Sequence, residues 1–102
     1  MLDLAAIKNE LNVTYDDPRV DDKIAAIITR AEYHIREICA IPEDDEFTPS
    51  EEQLARDCCR YIYNEVFAAF ETDYMGTING CRAKRLAAGF AVSSGEGDIN
   101  AG

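Results

Sequence analysis

The sequence predicts an all-α fold, a small bundle of about four helices followed by a flexible C-terminal tail. Three observations predict it. Placed on a wheel at about 100° per residue, residues 18 to 40 gather Val20, Ile24, Ile27, Ile28, Ala31, Ile35 and Ile38 within one arc about 100° wide. "TPSE" at 48–51 joins a capping box to a proline at the first helical position. No segment reads as a credible strand, and no internal repeat is detectable.

The first element, "DLAAIKNEL", spaces Leu4, Ile7, Lys8 and Leu11 by three and four, with Asp3 as cap, and reads as a short amphipathic helix. "NVTYDD" follows as a connector, because Asn, Thr and Asp compete with helix for backbone hydrogen bonds. The second helix then opens on "YDDPRVDD". Asp17 is placed to cap it, Pro18 suits its first position, and Asp21 and Asp22 fall in the first turn, where carboxylates favour the positive end of the dipole. Asp16, Asp17, Asp21 and Asp22 therefore have a sufficient local reason, and no metal role is expected of them. Neighbouring helical aspartates point about 100° apart, and no glycine stands where a calcium loop needs one.

Pro42 and the acidic "PEDDEF" loop end the second helix. Thr48, Pro49 and Glu51 open the third, whose apolar residues from Leu54 to Phe70 cover most of the wheel. Only Gln53, Arg56, Asp57, Arg60 and Asn64 form a narrow polar stripe, so burial on more than one side is expected. "ETDYMGTINGCRAKRLAAGF" is weaker, since Gly76 and Gly80 cost helix stability, yet Tyr74, Ile78 and Cys81 keep helical spacing and predict a fourth helix. From Gly89 the chain is rich in Gly and Ser. The expected division is a helical domain over 1–88 and a flexible tail over 89–102.

The formal charge of −10, from 20 acidic and 10 basic residues in 102, disfavours non-specific attraction to nucleic acid or to an anionic membrane. The first residues lack the basic and apolar regions of a signal peptide, and no stretch is long enough to span a bilayer; a cytosolic chain is expected. In that compartment Cys39, Cys58, Cys59 and Cys81 are not expected to form disulfides, and no C-x-x-C pair suggests zinc. His34, the single histidine, lies at the edge of the apolar arc and reads as packing. "EEQLARD" lacks a second acidic motif on the next helix, and there is no phosphate-binding glycine loop. The expectation is a non-enzymatic protein with no catalytic residues, no metal and no cofactor.

Opposite the apolar arc of the second helix stand Ala25, Ala26, Thr29 and Tyr33, small residues around an aromatic where Lys and Glu are usual. Either they are an ordinary tolerant surface or they form a packing face for another subunit, since aromatic residues are enriched in interface cores. The third helix, apolar nearly all round in so small a protein, supports the second reading.

"LAAIKNELNVTYDDPRVDDKIAAIITRAEYHIREICAI" and, after a loop, "ARDCCRYIYNEVFAAFETDYMGTINGCRAKRLA" resemble the head-tail connector proteins of tailed bacteriophages and prophages, the small adaptors of the neck. The shared pattern is a short helix with "IK..L" spacing, an aspartate-rich start to a long helix, a long aromatic helix and a shorter one, over about residues 2 to 88. The resemblance implies a homo-oligomeric ring of about twelve subunits in the virion neck, assembled in the host bacterial cytoplasm for head completion. Its partners would be the portal protein and a downstream stopper or tail protein, with DNA passing through the lumen without specific binding. An acidic lumen suits that passage. No acid stands between Asp73 and Glu96, while Arg82, Lys84 and Arg85 are basic. Either these three complement the C-terminal end of their helix, or, as the functional expectation, they dock on the portal with Phe90 and Val92 of the tail as apolar anchors. The rival is an acidic DNA-mimicking inhibitor of a DNA-binding protein, which should spread carboxylates along one exposed face.

Overall fold

The computed structural model describes residues 2–97, with side chains described through Gly89. Helices α1 (Leu4–Glu10), α2 (Pro18–Ile38) and α3 (Pro49–Tyr63) are followed by a 3₁₀ turn (Phe67–Ala69), a single-turn α4 (Phe70–Asp73) and α5 (Met75–Gly97). All-α is the architecture, with five helices where about four were expected, and no strand among the described residues.

The N-termini form for the reasons the sequence suggests. The side chain of Asp3 accepts from Ala6 N and that of Asp17 from Arg19 N, with Pro18 opening α2. At α3 the capping box is complete: Glu51 N donates to Thr48 Oγ1 at 3.2 Å, and Thr48 N to Glu51 Oε1 at 2.8 Å. The C-termini share a feature the sequence hides. After each of α1, α2 and α3 a residue without glycine's freedom takes positive φ: Asn12 at 61°, Ala40 at 59° and Glu65 at 62°. The next amide then bonds back into the last turn, Val13 to Lys8 O, Ile41 to Arg36 O and Val66 to Tyr61 O, at 2.8 to 2.9 Å. This is the Schellman closure, three times over. The long helices thus end at Ile38 and Tyr63, closed through Ala40 and Glu65 before any proline acts.

The closure at Glu65 corrects the expected third helix, which does not run on to Phe70. Phe67 and Phe70 are apolar because the chain turns back there against α2, whereas Val66 stays exposed. Phe70 is fully buried, the His34 ring meets Phe67 edge-on at 4.9 Å, and Arg30 lies over Phe67 at 4.7 Å.

The core is the α2–α3 hairpin. Ile24, Ile27, Ile28, Ala31 and Ile35 of α2 pack against Leu54, Ala55, Cys58 and Cys59 of α3, and Ile7, Phe70, Ile78 and Cys81 join the same cluster. Burial pushes the thiols of Cys39, Cys58 and Cys59 up to about 12, and these groups stay protonated filler.

Helix α5 is different in kind. Among its described side chains only Ile78 and Cys81 are buried, and Leu86 to Gly89 are all exposed, so it leaves the body after Arg85. It also passes the expected boundary at residue 88 and continues to Gly97. Ala87, Ala88 and Ala91 favour helix and no proline interrupts them, so Gly89 and Gly95 weaken the run without ending it. Residues 98–102 of the expected tail lie outside the described residues, as do the side chains of Phe90 and Val92.

Candidate functional site

Two exposed helical faces and one ionic clamp carry the polar features of the molecule. The acidic run before α2 comes first, because carboxylates converging on one point would suggest a cation. They do converge, on an ammonium of the chain itself: Lys8 Nζ lies 2.7 Å from Asp21 Oδ1 and 3.3 Å from Asp16 Oδ1. The hydrogen bond to Asp21 raises the Lys8 pKa against the opposing effect of desolvation. The cluster therefore ties α1 to the start of α2. Among the described residues no group of three or more His, Cys, Asp or Glu is arranged to hold a metal. His34 Nε2 lies 3.1 Å from Glu71 Oε2 without hydrogen-bond geometry, and the His34 ring packs edge-on against Phe67 and Phe70.

The clamp joins residues far apart in sequence. Arg85 donates from Nε and Nη2 to the two oxygens of Glu51 at 2.8 and 2.7 Å, from Nη1 to Asp45 Oδ2 at 2.8 Å, and from Nη2 to Glu46 O at 2.7 Å. Glu51 is 2% exposed and the Arg85 side chain 15%. Burial pushes the Glu51 carboxyl up, but the Arg85 hydrogen bonds and the Thr48 amide together outweigh it and hold the group below its ordinary value. Glu51 thus caps α3 and anchors α5 at once. Arg85, expected on the portal-docking surface, is instead spent inside the chain. Arg82 makes one long hydrogen bond, 3.4 Å to Ile38 O, and exposed Lys84 has no hydrogen bond or ion pair among the described residues. Of the basic trio, only these two face outward with charge to offer.

The α2 face has the exposure its composition suggested. Ala25, Ala26, Thr29 and Tyr33 are all exposed, and Tyr33, at 65%, is the most exposed of the large hydrophobic residues described. Thr29 Oγ1 donates to Ala25 O at 3.2 Å, and Tyr33 OH to Glu37 Oε2 at 3.1 Å, so both polar groups are satisfied within the helix itself. What this face presents outward is short side chains and one aromatic ring. The apolar surplus of residues 54–70 lends it no support, since the break at Glu65 accounts for that surplus within one chain.

No family model, curated protein or solved structure matches the chain. No described helix is long and apolar enough to cross a membrane.

Proposed function

We propose that the chain is a structural subunit that assembles with copies of itself, and that it serves as a head-tail connector of a tailed-phage neck, a ring between portal and tail that extends the DNA conduit. One observation carries the assembly part: the face of Ala25, Ala26, Thr29 and Tyr33 on α2 is exposed and wholly outside the core, and among the described residues its polar groups bond only within their own helix. The phage assignment rests on the sequence resemblance. Arg82 and Lys84 are the cations left to meet a portal, with Phe90 and Val92 as the apolar anchors beyond them.

The rival reading, a DNA mimic, needs a row of free carboxylates. It is weakened because Asp16 and Asp21 face Lys8, Asp45 and Glu51 face Arg85, and Asp57 faces Arg60. Ala26→Glu tests the proposal. It is expected to leave the monomer folded and to abolish rings in negative-stain images, because the new charge is buried unpaired only in the assembly. Rings of normal size from that variant would overturn the choice of face. Salt-sensitive capture of a DNA-binding protein by the wild type would favour the mimic.

A further inference from the structure

Gly76 and Gly80 stand in α5 with no steric need for glycine. Neither has positive φ, and a Cβ added at either would meet nothing within 4 Å. Alanine would strengthen the helix at both positions. On the wheel these two lie with Ala83 and Ala87 on the side turned away from buried Ile78 and Cys81. The stripe lets another helix come close, and the charges around it indicate which one. Lys84 borders it and has no partner among the described residues, on a helix segment without acid from Met75 to Gly95.

The complementary surface is on α2. Beside Tyr33 is a groove of about 210 Å³ lined by Tyr33, Arg36, Glu37, Ile41 and Glu43. Its one cation is already turned aside, since Arg36 Nη1 donates to Pro42 O and Asp45 O and the guanidinium lies over Phe47 at 4.7 Å. What remains is an exposed tyrosine ring, fixed by its bond to Glu37, between two carboxylates, a setting that suits an ammonium. Of the other α2 cations, Arg30 lies over Phe67, Lys23 is 5.7 Å from the centre of the Tyr63 ring, and Arg19, at the far N-terminal end of the helix, lies 3.6 Å from Asp17.

We infer that α5 of one copy packs along the α2 face of the next, with Gly76 and Gly80 against Ala25 and Ala26 and Lys84 seated in the groove of Tyr33, Glu37 and Glu43. The inference rests on the reading of that α2 face as a subunit contact and names its other half. Two different surfaces meet, so each copy keeps one of each free for further copies, as a ring or filament requires.

The test is cross-linking between variants that each carry one added cysteine, made practical by the burial of all four native thiols. Ala26→Cys and Gly80→Cys proteins, mixed and treated with a short bismaleimide, are expected to give a covalent dimer that neither gives alone. Cross-linking of either variant with itself would mean a two-fold contact and overturn the pairing. Sedimentation adds the charge test: Lys84→Glu is expected to weaken association about tenfold or more, and Lys84→Glu with Glu37→Lys to recover most of it. Gly80→Leu should abolish association while the monomer still melts cooperatively. If Ala26→Glu disperses the assembly but Gly80→Leu and Lys84→Glu do not, the α2 face stands and the α5 half is wrong. A wild type that stays monomeric at millimolar concentration overturns both.

Discussion

The body, residues 2 to 74, and helix α5 use backbone freedom in opposite ways. The body contains no glycine, yet it holds Asn12, Ala40 and Glu65 in the left-handed region, where glycine is cheapest. All six glycines fall at or after position 76, and Gly76, Gly80 and Gly89 sit inside a helix, where glycine is dearest. Glycine in this chain is therefore not placed for turning. At Asn12 and Ala40 the strain is tolerated because apolar Val13 and Ile41, next in line, are buried and hold the closure, whereas Val66, next after Glu65, is exposed. Helix α5, fastened among its described side chains near Ile78, Cys81, Arg82 and Arg85, gives up helical stability at glycines where no described atom comes within 4 Å of an added Cβ.

The largest way to break this contrast is to release α5. Arg85→Ala leaves the Glu51 carboxylate buried without its counter-ion, and a loss of about 3–5 kcal/mol is expected in denaturant unfolding at neutral pH. The pH dependence carries the sign. In the wild type the folded Glu51 pKa is depressed, so its contribution is present above the unfolded value near about 4.3 and disappears as pH falls through the folded value. In Arg85→Ala burial acts unopposed by the guanidinium and raises the folded pKa instead. The penalty of the variant should therefore shrink as pH is lowered from 7 towards 5. A penalty constant over that range would mean that lost packing of the arginine stem, not the uncompensated carboxylate, is responsible.

A smaller effect is expected at the cap that shares Glu51. Thr48→Ala removes the hydroxyl that accepts from Glu51 N and should cost about 0.5–2 kcal/mol, with little pH dependence. Paired with Arg85→Ala it should be non-additive, because both act on the environment of one carboxylate. A double-mutant cycle that closes to zero would show the cap and the clamp to be independent.

These two sites also mark what could be read in the sequence. Asp3, Asp17 and Thr48 were legible as caps because capping is local, settled within three residues of the helix start. The α2 face was legible for the same reason: Ala25, Ala26, Thr29 and Tyr33 follow from one wheel. The Arg85–Glu51 clamp was not, since its partners are 34 residues apart and the charge pattern around Arg85 equally suits an outward patch. The break at Glu65 was hidden too. It depends on Phe67 and Phe70 meeting Arg30 and His34 of α2, and the apolar run from Leu54 to Phe70 has no glycine or proline to announce it. The groove at Tyr33 needed the Arg36 side chain to turn towards Pro42 and Asp45, which no periodicity reveals.

The smallest effects sharpen the contrast most, because they exchange backbone freedom between the two regions. A residue with a Cβ in the left-handed region costs roughly 1–2 kcal/mol, and replacing it by glycine returns about 0.4–1 kcal/mol of that through the looser unfolded chain. Ala40→Gly and Glu65→Gly should each stabilise by a net figure near 0.5–1 kcal/mol, read as a higher denaturant midpoint at unchanged slope. Gly80→Ala should stabilise by a similar amount for the reverse reason, since it removes backbone freedom from a helical position with open space around it. Asn12→Gly belongs at the foot of the series. Asparagine already tolerates the left-handed conformation, so at φ 61° glycine relieves little, and the expected change is within a few tenths of a kcal/mol of zero. The order carries the argument. If Asn12→Gly gained as much as Ala40→Gly, the closures would not differ in strain. Gly80→Ala, if it destabilised the isolated monomer, would mean that α5 needs its glycines for its own fold and that a second helix is not the reason they are there.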